Sequence, residues 1–422
     1  MIFLRAPIGL AMMLCGLGGL YLAVGSSGLL LAKLKSETYS TFSSYSLTII
    51  PMFLLMGQFA TLSGMSTSLF KAAESWLGHR KGGVAMAAVG ACAGFGAICG
   101  SSLATAATMS RVALPELKRY GYSGGFSTAT LAAGGTLGIL IPPSVILVIY
   151  AILTEQNIAK LFLAAFVPGI LAAIGYMITI SIYVRCYPDS AGTKDPIPYR
   201  ERFLALLEVW PVLLVFGLVV GGIYLGWFTP TEGAAVGAAG TGLIALISGN
   251  LNWKVLVESI ISTATSTAMI FFIILGASFY NGFLALSQVP QELSIWVVEL
   301  GLSPWTVLCL ILFFYLIFGC LMDSLSMILL TIPIFFPLIS ALDFGMTPEQ
   351  VAIWFGILVL IVVEVGLITP PVGMNLFIIN AMDRATPMIK TYKSVMWFVL
   401  SDIIRVIILV MFPAITLFLL PT

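Results

Sequence analysis

The chain predicts an all-α polytopic membrane protein made of inverted-topology repeats, with two re-entrant hairpins and two proline-broken helices. Three observations carry this. The 422 residues are 60% hydrophobic and only 9% charged, with a mean hydropathy of +1.09, whereas a soluble domain is nearer 25% charged. The apolar runs are continuous and do not alternate, which indicates helices and not barrel strands. Finally, two stretches read almost alike: Gly138-Ile139-Leu140-Ile141-Pro142-Pro143-Ser144 and Gly366-Leu367-Ile368-Thr369-Pro370-Pro371-Val372. Proline inside a helix removes a donor and clashes with the preceding turn. Both helices should therefore break at membrane depth, which is tolerated only where backbone is buried in protein or lines a cavity. Paired broken helices in two halves point to the binding site of a secondary transporter.

Spans are expected at 7–31 and 46–65, a hairpin at 84–110, a broken span at 124–153 and a span at 160–184, with a cytoplasmic loop to 203. This is the first repeat, 1–203. A connecting span, 204–226, lies within 204–231. The second repeat, 232–422, holds spans 232–249 and 257–283, a hairpin at 304–342, a broken span at 351–380 and a span at 396–419. The first apolar run is long enough to span, so no cleavable signal peptide is expected. Segments 66–80 and 286–301 are short and mixed, and Trp76 and Trp296 suit helices lying in the interface.

Charge orients the scheme. Run 84–110 has Arg80 and Lys81 before it and Arg111, Lys118 and Arg119 after it. Basic residues mark the cytoplasmic side, so this run must enter and turn back, with its tip at Cys99-Gly100-Ser101-Ser102. Run 304–342 lacks basic flanks and is expected to enter from the external face. The loops 185–203 and 381–394 are basic and fall inside; Lys33 and Lys35 fall outside. Phe95-Gly96-Ala97-Ile98-Cys99-Gly100-Ser101 aligns with Phe318-Gly319-Cys320-Leu321-Met322-Asp323-Ser324. One odd span between two such copies inverts the second.

Several function classes are excluded or disfavoured. A net charge of +1 implies no nucleic-acid partner. The six cysteines lack metal spacing and read as small apolar residues. The single histidine, His79, sits in a loop, which disfavours a histidine proton relay. No phosphate-binding Gly-x-x-x-x-Gly-Lys-[Ser/Thr] loop occurs.

The polar residues left in the apolar runs are the candidates. At a hairpin tip no continuous turn competes for the hydroxyls of Ser101, Ser102 and Ser324. Asp323 is an ionisable group in an apolar run; it either binds a cation or caps a helix. Backbone carbonyls bared at the breaks suit a hard monovalent cation such as Na⁺, and half-helix N-termini suit an anionic substrate group. Each tip packed on its broken helix would make one cation site. The candidate cation set is Ser101, Ser102, Gly138, Ile141 and Pro142 in the first half, with Gly319, Asp323, Gly366 and Thr369 in the second. Ser101, Ser102, Ser144, Ser324 and Asn375 are the candidate substrate contacts. Glu364 is a further polar candidate, equally suited to pairing with another helix. Thr229 or Thr231 is expected to cap the helix starting at 232, with Glu232 in its first turn.

Gly-x-x-Ile-Pro-Pro-Ser at 138–144, Thr-Pro-Thr-Glu-Gly-Ala-Ala-Val-Gly at 229–237 and Thr-Pro-Pro-Val-Gly-Met-Asn at 369–375 resemble the large membrane subunit of TRAP (tripartite ATP-independent periplasmic) transporters. The resemblance covers nearly the whole chain. It implies a Na⁺-driven importer of organic acids such as C4-dicarboxylates or sialic acid, in the bacterial inner membrane. It also implies a small four-helix membrane subunit, here a separate chain, a soluble periplasmic binding protein, and an elevator motion of the hairpin-bearing domain. Three rivals stand beside it: a proton-coupled organic-anion transporter using Asp323 and Glu364, a channel, and an intramembrane enzyme. A channel needs a continuous multi-site path, and the apolar runs hold no nucleophile-base pair.

Overall fold

The computed structural model describes residues 6–25 and 27–420, and these are helical with no strand among them. The chain opens with α1 (Ile8–Val24), α2 (Ser27–Ser43), α3 (Ile49–Leu62) and α4 (Met65–Leu77). Next come α5 (Gly83–Cys99) and α6 (Ser102–Arg119), joined by two residues, then α7 (Gly124–Leu140), α8 (Val145–Thr154) and α9 (Ile158–Cys186). A connector holds α10 (Tyr199–Leu207), α11 (Trp210–Phe216) and α12 (Gly222–Tyr224), and leads to α13 (Pro230–Ile247), α14 (Trp253–Ser287) and α15 (Val289–Glu299). The chain closes with α16 (Pro304–Gly319), α17 (Ser324–Ser340), α18 (Pro348–Gly366), α19 (Met374–Met382), α20 (Met388–Met411) and α21 (Pro413–Leu417).

Among the described residues six helices are long and apolar enough to cross a membrane, or up to eight if each bent pair is one span. The arms α5, α16 and α17 are apolar but shorter, at 16 or 17 residues. That length suits helices that enter a bilayer and turn back. The α7–α8 pair is bent by 44° at its double proline, and α18 and α19 are separated by residues 367–373.

Two expected spans differ in the structure. The span expected at 7–31 ends at Val24, because Gly25 takes the left-handed conformation (φ 68°) and its N–H bonds back to Tyr21. Glycine adopts that helix-ending geometry at little cost. The span expected at 204–226 is bent by 43° between α10 and α11, where Pro211 lies in the first turn of α11, and residues 217–221 are π-helical. The cysteines divide: Cys92, Cys99 and Cys320 are buried, but Cys15, Cys186 and Cys309 are exposed. The cap ahead of α13 is Thr229. Its hydroxyl accepts from the Glu232 N–H at 3.3 Å, while the Glu232 carboxylate accepts the Thr229 N–H at 2.8 Å, a reciprocal capping box.

Two helices form the centre. Every described residue of α18 from Val351 to Gly366 is buried, and so is α7 from Gly125 to Leu140. A helix apolar all round is a core helix. Lipid offers no hydrophobic drive between helices, so association rests on close contact through small residues. The first hairpin packs α5 and α6 on α7, while α16 packs on α18. α1, α3, α13 and α14 pack mainly on one another.

Candidate functional site

Both hairpin tips press glycine to glycine on a break. A Cβ on Gly96 would lie 2.5 Å from the Gly138 Cα, and a Cβ on Gly366 would lie 2.5 Å from the Gly319 carbonyl carbon. The matched motifs of the two halves thus meet in the same way: hairpin glycine against break glycine, with no room for a side chain on either pair. Gly100 (φ 63°) ends α5 and lies against the Pro143 carbonyl. At the second tip the Gly373 N–H donates to the Cys320 carbonyl at 3.4 Å.

Each tip is capped. Ser101 is the N-cap of α6, its Oγ accepting the Ala104 N–H at 3.4 Å. Asp323 is the N-cap of α17, accepting the Ser326 N–H at 3.0 Å and the Ser326 hydroxyl at 2.6 Å. The capping role of Asp323 is therefore realised in the geometry. Ser144 likewise caps α8, accepting the Leu147 N–H at 3.4 Å.

The next residue of each tip does something the spacing did not foretell. Ser324 Oγ donates to Glu364 Oε1 at 2.7 Å, and Ser102 Oγ donates to Glu364 Oε2. Glu364 lies in α18 with no exposed surface, so one carboxyl group holds both tips. The sequence signal for Glu364 was its acidity inside an apolar run, but its two partners lie 262 and 40 residues away. The hydroxyls of Ser102 and Ser324 are thus engaged by the protein.

At the first break the carbonyls of Gly138 and Ile139 face prolines at 142 and 143, which lack the N–H of a helical turn. Among the described residues no backbone N–H outside the helices reaches either oxygen. Thr105, against Gly138, has a buried hydroxyl without a hydrogen-bond partner among the described residues. This oxygen-only set fits a hard cation. At the second break the Gly366 carbonyl accepts from Thr369 at 3.0 Å and the Leu367 carbonyl from Asn375 at 3.1 Å. The Thr369 hydroxyl turns away to the Val365 carbonyl at 2.6 Å. There the fit to a cation rests on second lone pairs and on Asp323. Fully buried Asn375 bridges the halves, donating through Nδ2 to the Ala132 carbonyl at 3.3 Å while its Oδ1 has no partner.

Outside the apolar segments, Lys118 at the end of α6 meets Asp383, after α19, at 2.7 Å. Burial pushes the Asp383 carboxyl up, but the bonds from Lys118 and Thr386 outweigh it and hold it below the usual aspartate value.

Comparison with known proteins fits this geometry to a family. The family described as "Tripartite ATP-independent periplasmic transporter, DctM component" matches residues 1–415. The chain belongs to this family. It is 36% identical to the C4-dicarboxylate TRAP transporter large permease protein DctM of Pseudomonas aeruginosa, over 91% of this chain and 88% of that protein. It is 30% identical to the sialic acid TRAP transporter large permease protein SiaM of Vibrio cholerae, over 90% and 87%. The structure of the Alcanivorax borkumensis YdaH transporter superposes with a TM-score of 0.68 at 15% identity, covering 92% of this chain and 89% of that one. At that identity the likeness concerns the fold. The chain is a TRAP large permease, a multi-pass protein of the bacterial inner membrane, and a transport protein rather than an enzyme.

Proposed function

We propose that this TRAP permease imports an organic acid, of the C4-dicarboxylate or sialic acid class, by Na⁺-coupled secondary transport. The observation that carries the proposal is the meeting of both hairpin tips on Glu364, each tip seated on its own proline break. In this reading Na⁺ is a co-transported substrate, held in the first half by the Gly138 and Ile141 carbonyls with the Ser101–Ser102 tip. Gly366, Thr369 and the Asp323–Ser324 tip hold it in the second half. A periplasmic binding protein delivers the acid, and a separate small membrane subunit completes the machine. Half-helix N-termini at Ser144 and Met374 offer N–H donors to the anionic substrate, and Asn375 Oδ1 offers an acceptor to a substrate hydroxyl.

The inverted repeats run over 1–203 and 232–422, with 204–231 inverting the second. The hairpins, α7–α8 and α18–α19 then travel as one body against α1, α3, α13 and α14. The packing supports this division, since those four helices pack mainly on one another. A proton-coupled variant has one observation in its favour, the carboxyl group of Glu364 at the centre of the site.

Flux in proteoliposomes separates the two. The chain, its small subunit and a binding protein loaded with succinate or with sialic acid are reconstituted, and uptake is driven by a Na⁺ gradient or by a proton gradient. Uptake with Na⁺ alone supports the proposal. Uptake with a proton gradient in Na⁺-free medium overturns the coupling and favours the variant reading.

A further inference from the structure

A second buried charge cluster lies where α9 and α20 part to leave a cleft of about 400 Å³. Its walls are Ile178 and Ile182 on α9 and Leu400 and Ile404 on α20. Ile178, Leu400 and Ile404 are 54%, 53% and 51% exposed. The main packing partners of α9 and α20 are α5, α7, α8, α18, α21 and each other. The cleft therefore opens away from α1, α3, α13 and α14, sideways into the bilayer.

Arg405 lines this cleft and is only 7% exposed. Its Nη2 lies 2.8 Å from Asp402 Oδ1, yet among the described residues Nε, Nη1 and Nη2 all lack a partner in hydrogen-bonding geometry. The second oxygen of Asp402 has another partner: its Oδ2 accepts the Tyr176 hydroxyl at 2.8 Å, and that hydroxyl meets Thr136 Oγ1 at 3.0 Å. The acid is thus divided between Tyr176 and the guanidinium, which keeps Nε and Nη1 free beside an apolar cleft. Unmet donors at membrane depth are costly, and intramembrane ionisable groups mark sites.

We propose that this cleft binds one anionic phospholipid of the surrounding bilayer, its phosphate on Arg405 and an acyl chain along Ile404, Leu400, Ile178 and Ile182. A planar guanidinium with unused N–H groups is built to receive a phosphate. Arg405 lies six residues before Met411, about 9 Å along the helix axis, so a lipid phosphate must be drawn inward from the membrane surface to meet it. Ile415 of α21 lines the same cleft. Only molecules dissolved in the bilayer reach a cleft that opens sideways, and phospholipids are the bulk of these.

The test is native mass spectrometry of the purified permease with its small subunit, titrated with phosphatidylglycerol, phosphatidylcholine or palmitate. Both lipids carry the phosphate, but the choline cation of phosphatidylcholine offsets its charge, so wild type should hold phosphatidylglycerol about tenfold more tightly, the size of one interaction with a charged group. The double variant Arg405→Met, Asp402→Asn leaves no lone buried charge and should bring the two to parity. As a guard against misfolding of that variant, Gly175→Leu is tested beside it. A Cβ at Gly175 starts 3.1 Å from Ser401 Oγ, so the added side chain enters the cleft and should abolish the preference with the ion pair intact. Equal binding of the two lipids by wild type overturns the proposal, as does a preference that survives Gly175→Leu. Palmitate binding without phosphatidylglycerol binding overturns the choice of ligand. Loss of the small subunit from Gly175→Leu with the preference unchanged would make the cleft a subunit contact.

Discussion

At the first break no backbone N–H outside the helices reaches the carbonyls of Gly138 and Ile139 among the described residues, while at the second the matching carbonyls of Gly366 and Leu367 accept from Thr369 and Asn375. The double proline is common to both: the bond to Gly366 comes from Thr369 just before it, where Ile141 bonds Leu137 instead, and the bond to Leu367 comes from Asn375 after it. After Pro143 the chain re-enters a helix at once, with Ser144 as the cap of α8. After Pro371 it runs on through Val372 to Gly373, whose positive φ of 66° turns the Asn375 N–H back onto Leu367. The tips differ in the complementary sense. The half with open carbonyls is capped by neutral Ser101, and the half with occupied carbonyls by charged Asp323. Two copies of one motif thus supply oxygen differently, one chiefly from backbone and the other from a carboxylate. What they share is Glu364, which receives a serine from each.

Breaking that shared residue should have the largest effect. Glu364→Ala removes the acceptor for both tips, and a hydrogen bond to a charged group contributes about 1.5–3 kcal/mol. That is roughly 10- to 100-fold on the closure of each tip, so initial uptake in proteoliposomes should fall by at least about 100-fold. Glu364→Gln keeps a carbonyl acceptor for one serine and should retain measurable uptake. Wild-type rates in Glu364→Ala would mean that the tips close independently and that the halves are not joined there.

The fold was legible because its signals are local: continuous apolar runs, two double prolines, a basic residue cluster on either side of 84–110. Missed features were of two kinds. Some were overrun by hydropathy. Leu30, Leu31 and Ala32 continue the first apolar run past Gly25, and Pro211 sits inside one, although the residue before a proline is biased away from helix. Others depend on contacts between distant segments. Ser102 and Ser324 reach one carboxyl only after both hairpins fold onto α18, and no spacing within the chain encodes that meeting. Asp402 and Arg405 were readable as opposite charges three residues apart in an apolar run, but the orphaned guanidinium beside the cleft was not. The capping reading of Asp323 is realised, and its liganding reading is a matter for titration with Na⁺.

That titration sharpens the contrast between the halves. Losing an N-cap costs typically about 1 kcal/mol, so Ser101→Ala and Asp323→Ala remove comparable structural support. If the second half draws its oxygen from the carboxylate, Asp323→Ala should raise the half-saturating Na⁺ concentration about tenfold. Ser101→Ala, with the Gly138 and Ile141 carbonyls untouched, should raise it about twofold. The measurement is uptake against external Na⁺ at fixed loaded binding protein. Equal shifts in the two variants would reduce Asp323 to a cap and remove the asymmetry proposed for the two sites.

The smallest effect concerns the tie that holds the first hairpin to the second half outside the apolar core. Lys118 is half-exposed while Asp383 is buried, and an ion pair of this kind contributes about 0–1 kcal/mol. Asp383 also accepts the Thr386 hydroxyl at 2.7 Å. Asp383→Asn should therefore lower the thermal midpoint of the detergent-purified protein by only about 1 °C at neutral pH, given the unfolding entropy of a chain this long. The pH dependence has a definite sign. The folded-state value of Asp383 is depressed, so its contribution is complete above the ordinary aspartate value of about 3.9. It is lost as pH falls through the lower folded value. Wild type should keep its advantage over Asp383→Asn at pH 7 and pH 5, and the gap should close below about pH 4. A gap that disappears already between pH 7 and pH 5 would place the linked proton on another group and leave Lys118 and Asp383 as a contact without energetic weight.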